Sequence, residues 1–129
     1  MIIPQDIDSK TWLKFIGWYL TEGLCDRHGR RKISRVSISQ GLMHPENRAE
    51  IVKILKEIGY SPYSGKESIE INAKALYDYV KQFGNSYKKF IPNELKNLPP
   101  EKLRILIETM MKGDVDKFGR LFSVKEISR

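Results

Sequence analysis

The sequence is short of cysteine, of histidine and of long apolar runs, and each shortage removes a class of protein. A single cysteine, Cys25, among 129 residues cannot close an internal disulfide, which argues against a disulfide-stapled secreted domain and fits a reducing, intracellular setting. Cys25 and His28 lie close together in CDRH, yet a zinc centre needs four ligands and no partner pair exists. His44, ahead of Pro45, reads as a helix-start residue. The longest uninterrupted apolar stretch runs only from Phe15 to Leu20, far below the roughly 20 residues that cross a bilayer, so no membrane span is expected. The N-terminal MIIPQDIDSK lacks a basic segment followed by an apolar core and a small-residue cleavage site, and no export signal is expected. No glycine-rich phosphate loop and no serine or cysteine nucleophile arrangement appears.

What is present is the composition of one folded, basic domain. Apolar residues make up 40% and charged residues 30%, enough to bury an ordinary core and too apolar for a disordered chain. Lysine and arginine number 23 against 16 acids, a formal charge of +7. That excess favours a polyanionic partner such as nucleic acid.

Along the chain, Asp8 or Ser9 caps a helix through TWLKFIGWYLTE that stops at Gly23. Residues 25–32, CDRHGRRK, read as a polar, basic turn. Residues 33–40, ISRVSISQ, alternate as a half-buried strand, with Val36 and Ile38 on one face and Arg35, Ser37 and Ser39 on the other. A helix follows Pro45, with Ile51, Leu55 and Ile58 on one stripe before Gly59. A turn at Ser64-Gly65 leads to a short strand with Ile69 and Ile71 inward and Glu70 and Asn72 outward. A third helix, AKALYDYVKQFG, turns Leu76, Tyr79, Val80 and Phe83 inward. After the linker NSYKKFIP come a short helix over 92–98 and a longer one after Pro99-Pro100, with Leu103, Ile107 and Met110 on its buried face. One further strand is expected at 121–124. The predicted order is helix, strand, helix, hairpin, helix, helix, around a sheet with one bare face. Trp12, Trp18, Tyr19, Met110 and Met111 are expected to be packing residues.

The first and last of the longer helices share a pattern: a small residue, another four positions later, then an acid. These are Gly17, Thr21 and Glu22 in one, and Thr109, Gly113 and Asp114 in the other. Residues four apart share a helix face, so each helix presents a small stripe along which a second backbone could approach. Packed together, the two stripes would set Glu22 beside Asp114, where two carboxylates meet the negative ends of two helix dipoles. A divalent cation resolves that repulsion. Magnesium suits carboxylate and water oxygens, and such ions serve phosphodiester cleavage. Surface acids beside helix-ending glycines are the plain alternative.

FIGWYLTEG, residues 15–23, resembles the first motif of the LAGLIDADG homing endonucleases, in the form found in inteins and archaeal introns, and IETMMKGDV, residues 107–115, resembles a second copy. The order between them is similar too: a strand ending in Ser-Gln, EIVKILKEIGY, a short hairpin, LYDYVKQFG, KKFIP and PPEKLRILIE. The likeness spans about residues 8–120. It implies an α+β homing-endonuclease-like half-saddle, an antiparallel sheet with helices on one face, lying over double-stranded DNA. Residues 1–99 would form the first repeat, and residues 100–129 the central motif helix and the start of a truncated second repeat. One acid per motif, Glu22 and Asp114, would hold catalytic Mg2+. The second copy departs from the pattern: Thr109 replaces a packing glycine, Lys112 a frequent acid, and Val115 the glycine after the acid. With little sequence after the second motif, a homodimer or a missing second half is expected to complete the grip.

The same resemblance assigns further roles. Gln40 matches the polar residue near the scissile phosphate, and Lys89 in KKFIP, with Lys88 as rival, matches the lysine near the metals, where it would stabilise charge developing on the phosphate. From the residues themselves, Arg35, Ser37 and Ser39 on the strand's outer face suit base edges or phosphates. Arg27, Arg30, Arg31 and Lys32 in the basic turn suit phosphates, and Lys66 at the hairpin tip extends that track. Glu70 is unfavourable beside phosphates but could accept from a cytosine amine. The expected activity is a site-specific double-strand DNA endonuclease. Its rivals are a catalytically silent DNA binder, a maturase-like protein on structured intron RNA, and an endonuclease subdomain of an intein.

Overall fold

A computed structural model describes residues 8–84 and 93–113. The element order is α1 (Ser9–Glu22), β1 (Gly23–His28), β2 (Ile33–Ser39), α2 (Pro45–Ile58), β3 (Tyr63–Ser64), β4 (Ser68–Asn72), α3 (Lys74–Val80) with a 3-10 turn at Lys81–Phe83, α4 (Asn93–Lys96) and α5 (Pro100–Gly113). The four strands form one antiparallel sheet in the order β1-β2-β4-β3. The chain is therefore α+β. The strand expected at 121–124 and the linker over 85–92 lie outside the described residues.

α1 is the core of the molecule. Asp8 caps it, its carboxylate accepting from the Lys10 amide at 3.1 Å, which satisfies one of the unpaired N–H groups of the first turn. From Thr11 to Thr21 every residue except Lys14 is buried, and a helix apolar all round needs cover on all sides. The sheet, α2 and α5 all pack on it. Trp12, Trp18 and Tyr19 are at most 2% exposed, as expected of packing residues. The Trp12 ring meets Tyr79 edge-on at 4.9 Å and Tyr19 lies 6.2 Å from Phe83, which ties α3 and its 3-10 turn to α1. Met111, by contrast, is 50% exposed. It lies off the stripe of Leu106 and Met110, which fill the same cluster as α1.

The segment 25–32 is not simply a turn. Its first half belongs to β1, which pairs with β2 so that Cys25 faces Val36 and Asp26 faces Arg35. Only residues 29–32 turn, with Gly29 and Lys32 at positive φ of 76° and 53° and the Lys32 amide donating to Gly29 O at 3.2 Å. Gly23 also differs from expectation. Its φ of −89° and ψ of 158° are extended rather than left-handed, so the helix passes directly into the strand. Glycine is needed there because a Cβ would lie 2.6 Å from the carbonyl oxygen of Tyr19.

Side chains alternate across the sheet. Val36, Ile38, Ile69 and Ile71 are buried toward the helices, at most 5% exposed. The register places Leu24, Asp26, Arg35, Ser37, Ser39, Glu70 and Tyr63 on the opposite face.

Candidate functional site

The two small stripes meet. A Cβ built on Gly17 would lie 2.8 Å from Thr109 Cβ and 3.1 Å from the Leu106 carbonyl oxygen. One built on Gly113 would overlap Thr21 Oγ1 and lie 3.0 Å from Thr21 Cβ and 3.2 Å from Glu22 Cγ. Because residue 17 meets 109 and residue 21 meets 113, the helices run in the same direction. Both threonines turn their hydroxyls onto their own helix: Thr21 Oγ1 donates to Gly17 O at 3.0 Å and Thr109 Oγ1 to Ile105 O at 2.9 Å. The partner glycine thus meets atoms whose polar needs are already met. Glu22, half-buried, stands at the end of this seam beside Gly113. Asp114, the next residue in the chain, and Lys89 lie outside the described residues.

A carboxylate holds the helices from the side. Glu50 on α2 accepts from the buried Trp18 indole N–H at 3.0 Å through Oε2 and from Lys112 Nζ at 3.0 Å through Oε1. Lys112 is thus an α5 ion-pair partner of α2. Among the described residues no group of three or more potential metal ligands occurs.

On the outer face of the sheet, Arg35 is engaged. Its Nε donates to Asp26 Oδ1 at 2.9 Å and its Nη2 to Asp26 Oδ2 at 2.7 Å, while Nη1 stands 3.6 Å from Glu70 Oε1. The hydrogen-bonded Asp26 carboxylate holds the guanidinium above its usual pKa. Ser37 beside it is only 8% exposed and donates weakly to Leu24 O at 3.5 Å, whereas Ser39 is exposed. Arg27, Arg30, Arg31 and Lys32 are all exposed around the β1–β2 turn. Lys66 is exposed in the β3–β4 turn, and the antiparallel register puts the two turns at opposite ends of the strands.

Gln40 faces inward. It is 7% exposed, and its Oε1 accepts from Asn47 Nδ2 at 3.2 Å. Beside it is Arg48, which no local pattern singles out. The Arg48 guanidinium donates to the carbonyls of Gln40 and Gly65, fastening the end of β2 to the β3–β4 turn. Asp26 and Glu50 were equally invisible as functional neighbours, because their partners are set by strand register and helix packing rather than by local spacing. No protein-family model matches the chain, and no curated protein matches it.

Proposed function

We propose that the chain is a LAGLIDADG-type homing endonuclease. In this reading the sheet and its turns form a half-saddle on double-stranded DNA, and a divalent metal ion is held by Glu22 and Asp114. The observation that carries this reading is the seam between α1 and α5. The register pairs Gly17 with Thr109 and Thr21 with Gly113 and leaves Glu22 beside Gly113 at the end of the seam, and Asp114 is the next residue in the sequence. Glycine at 113 is what lets α5 approach Thr21 and Glu22 this closely, and two carboxylates are the hard oxygen donors Mg2+ prefers. A bound ion there supplies Lewis acidity to the phosphodiester oxygens. The protein's own part in this reading is to present Glu22 at the end of a close helix–helix seam, while the exposed arginines and lysine around the β1–β2 turn hold flanking phosphates.

A catalytically silent DNA-binding descendant is the second reading, favoured by the ion pair of Lys112 with Glu50 where the family often carries an acid. Calorimetric titration with Mg2+ and with Ca2+ tests the metal site. Saturable binding is expected for wild type, with loss in both Glu22→Gln and Asp114→Asn. Equal heats in all three proteins would remove the metal and leave the binder.

A further inference from the structure

The outward cluster Asp26, Arg35 and Glu70 carries two acids and one base, with side chains 35%, 26% and 31% exposed. A phosphate approaching it would meet two carboxylates around a cation whose charge is already matched, so the cluster is a poor phosphate site. An uncharged base edge suffers no such repulsion. Asp26 occupies the Nε side of the guanidinium, and a guanidinium has five N–H donors, so its outer end keeps donors on Nη1 and Nη2. Next along that edge comes the Glu70 Oε1 acceptor, 3.6 Å from Nη1, with Oε2 steadied by Ser68 Oγ at 2.9 Å.

The edge therefore reads donor, donor, acceptor. In the major groove a G·C pair reads acceptor, acceptor, donor: guanine N7, guanine O6 and the cytosine N4 amino group. O6 and N4 are hydrogen-bonded to each other, about 2.9 Å apart, against 3.6 Å between Nη1 and Oε1, so Glu70 closes in slightly to engage both partners of the pair. An A·T pair reads acceptor, donor, acceptor and does not match in either direction.

We infer that Asp26, Arg35 and Glu70 form a reader for a single G·C base pair. Arg35 forks onto guanine, Glu70 accepts from the cytosine amine, and Asp26 is a positioning residue that fixes the plane of the fork. This rests on the reading of the sheet as a DNA surface. A guanidinium already held in plane loses less rotamer freedom on binding than a free one.

The test is selection from a randomised duplex library, with EDTA present so that no strand is cut, on wild type, Arg35→Ala, Arg35→Lys and Asp26→Asn. Wild type is expected to enrich a sequence with one invariant G·C pair. Arg35→Ala and Arg35→Lys lose preference at that pair alone, roughly tenfold to a hundredfold. Asp26→Asn binds all duplexes more tightly, having lost a negative charge, yet discriminates less at that pair. Thermal melts of the variants separate these effects from a loss of fold. An enriched sequence that is unchanged in both Arg35 variants would overturn the reader and leave the DNA surface standing. No enrichment by wild type would overturn both.

Discussion

At Gly17 two opposing effects can be compared directly. Replacing a mid-helix glycine with alanine gains about 1 kcal/mol of helix propensity. The new Cβ would lie 2.8 Å from Thr109 Cβ and 3.1 Å from a backbone oxygen, and overpacking of that kind costs about 1–3 kcal/mol. Gly17→Ala is therefore expected to be net destabilising, by about 1 kcal/mol. Thr109→Gly in the same chain should recover part of the loss, giving a favourable coupling in a double-mutant cycle followed by urea denaturation. Tyr19 offers a pH signature. It is fully buried, its hydroxyl donates to Gly84 O at 3.3 Å, and burial, followed by the hydrogen bond with Cys25, raises its pKa above the ordinary 10.0. Since the folded value is raised, the stability it contributes is whole below pH 10 and declines as pH climbs toward the folded value. Tyr19→Phe is expected to cost about 1 kcal/mol at pH 7. The gap from wild type should narrow in denaturant melts above pH 10. The small stripe around Gly17 was legible because a spacing of four marks one helix face. The partner of Arg35 was not, because Asp26 becomes its neighbour only once the hairpin register is known.

Among the elements, α2 does more than cover the core. Removing the Glu50 carboxylate leaves the indole N–H of Trp18, a residue 1% exposed, without its acceptor, which costs about 1–3 kcal/mol. Lys112, half exposed, makes an ion pair with Glu50 of the kind worth about 0–1 kcal/mol. The expected order of destabilisation is thus Glu50→Ala well above Lys112→Ala, with Glu50→Gln close to Lys112→Ala because it keeps an acceptor. Chemical denaturation of the three variants checks it, and an Ala at 50 no worse than an Ala at 112 would contradict it. The helices and the strands β2 and β4 were legible from periodicity. β1 was not, since GLCDRH turns Leu24 outward and only Cys25 inward, leaving no apolar alternation. Its strand character comes from pairing with β2, a non-local cause that a window of sequence does not contain.

For the whole molecule, the formal charge of +7 is unevenly used. The centre of the outer sheet face pairs its arginine with acids, and exposed cations gather at the β1–β2 turn. If that turn holds phosphates, Arg30→Ala with Arg31→Ala lowers the slope of log binding constant against log salt by about 2, with base preference unchanged. Fluorescence anisotropy on one duplex across a salt series reads this, and an unaltered slope would move the phosphate track elsewhere. The seam between α1 and α5 has a different import. Each helix offers one glycine and one threonine, in opposite order, so every glycine finds a threonine across the contact. A duplicate of α1 laid in the same register would set glycine on glycine at one level, leaving a void, and threonine on threonine at the next, where there is no room. The seam behaves as a keyed joint that distinguishes kin from copy: it accepts the related but unequal helix and turns away an identical one.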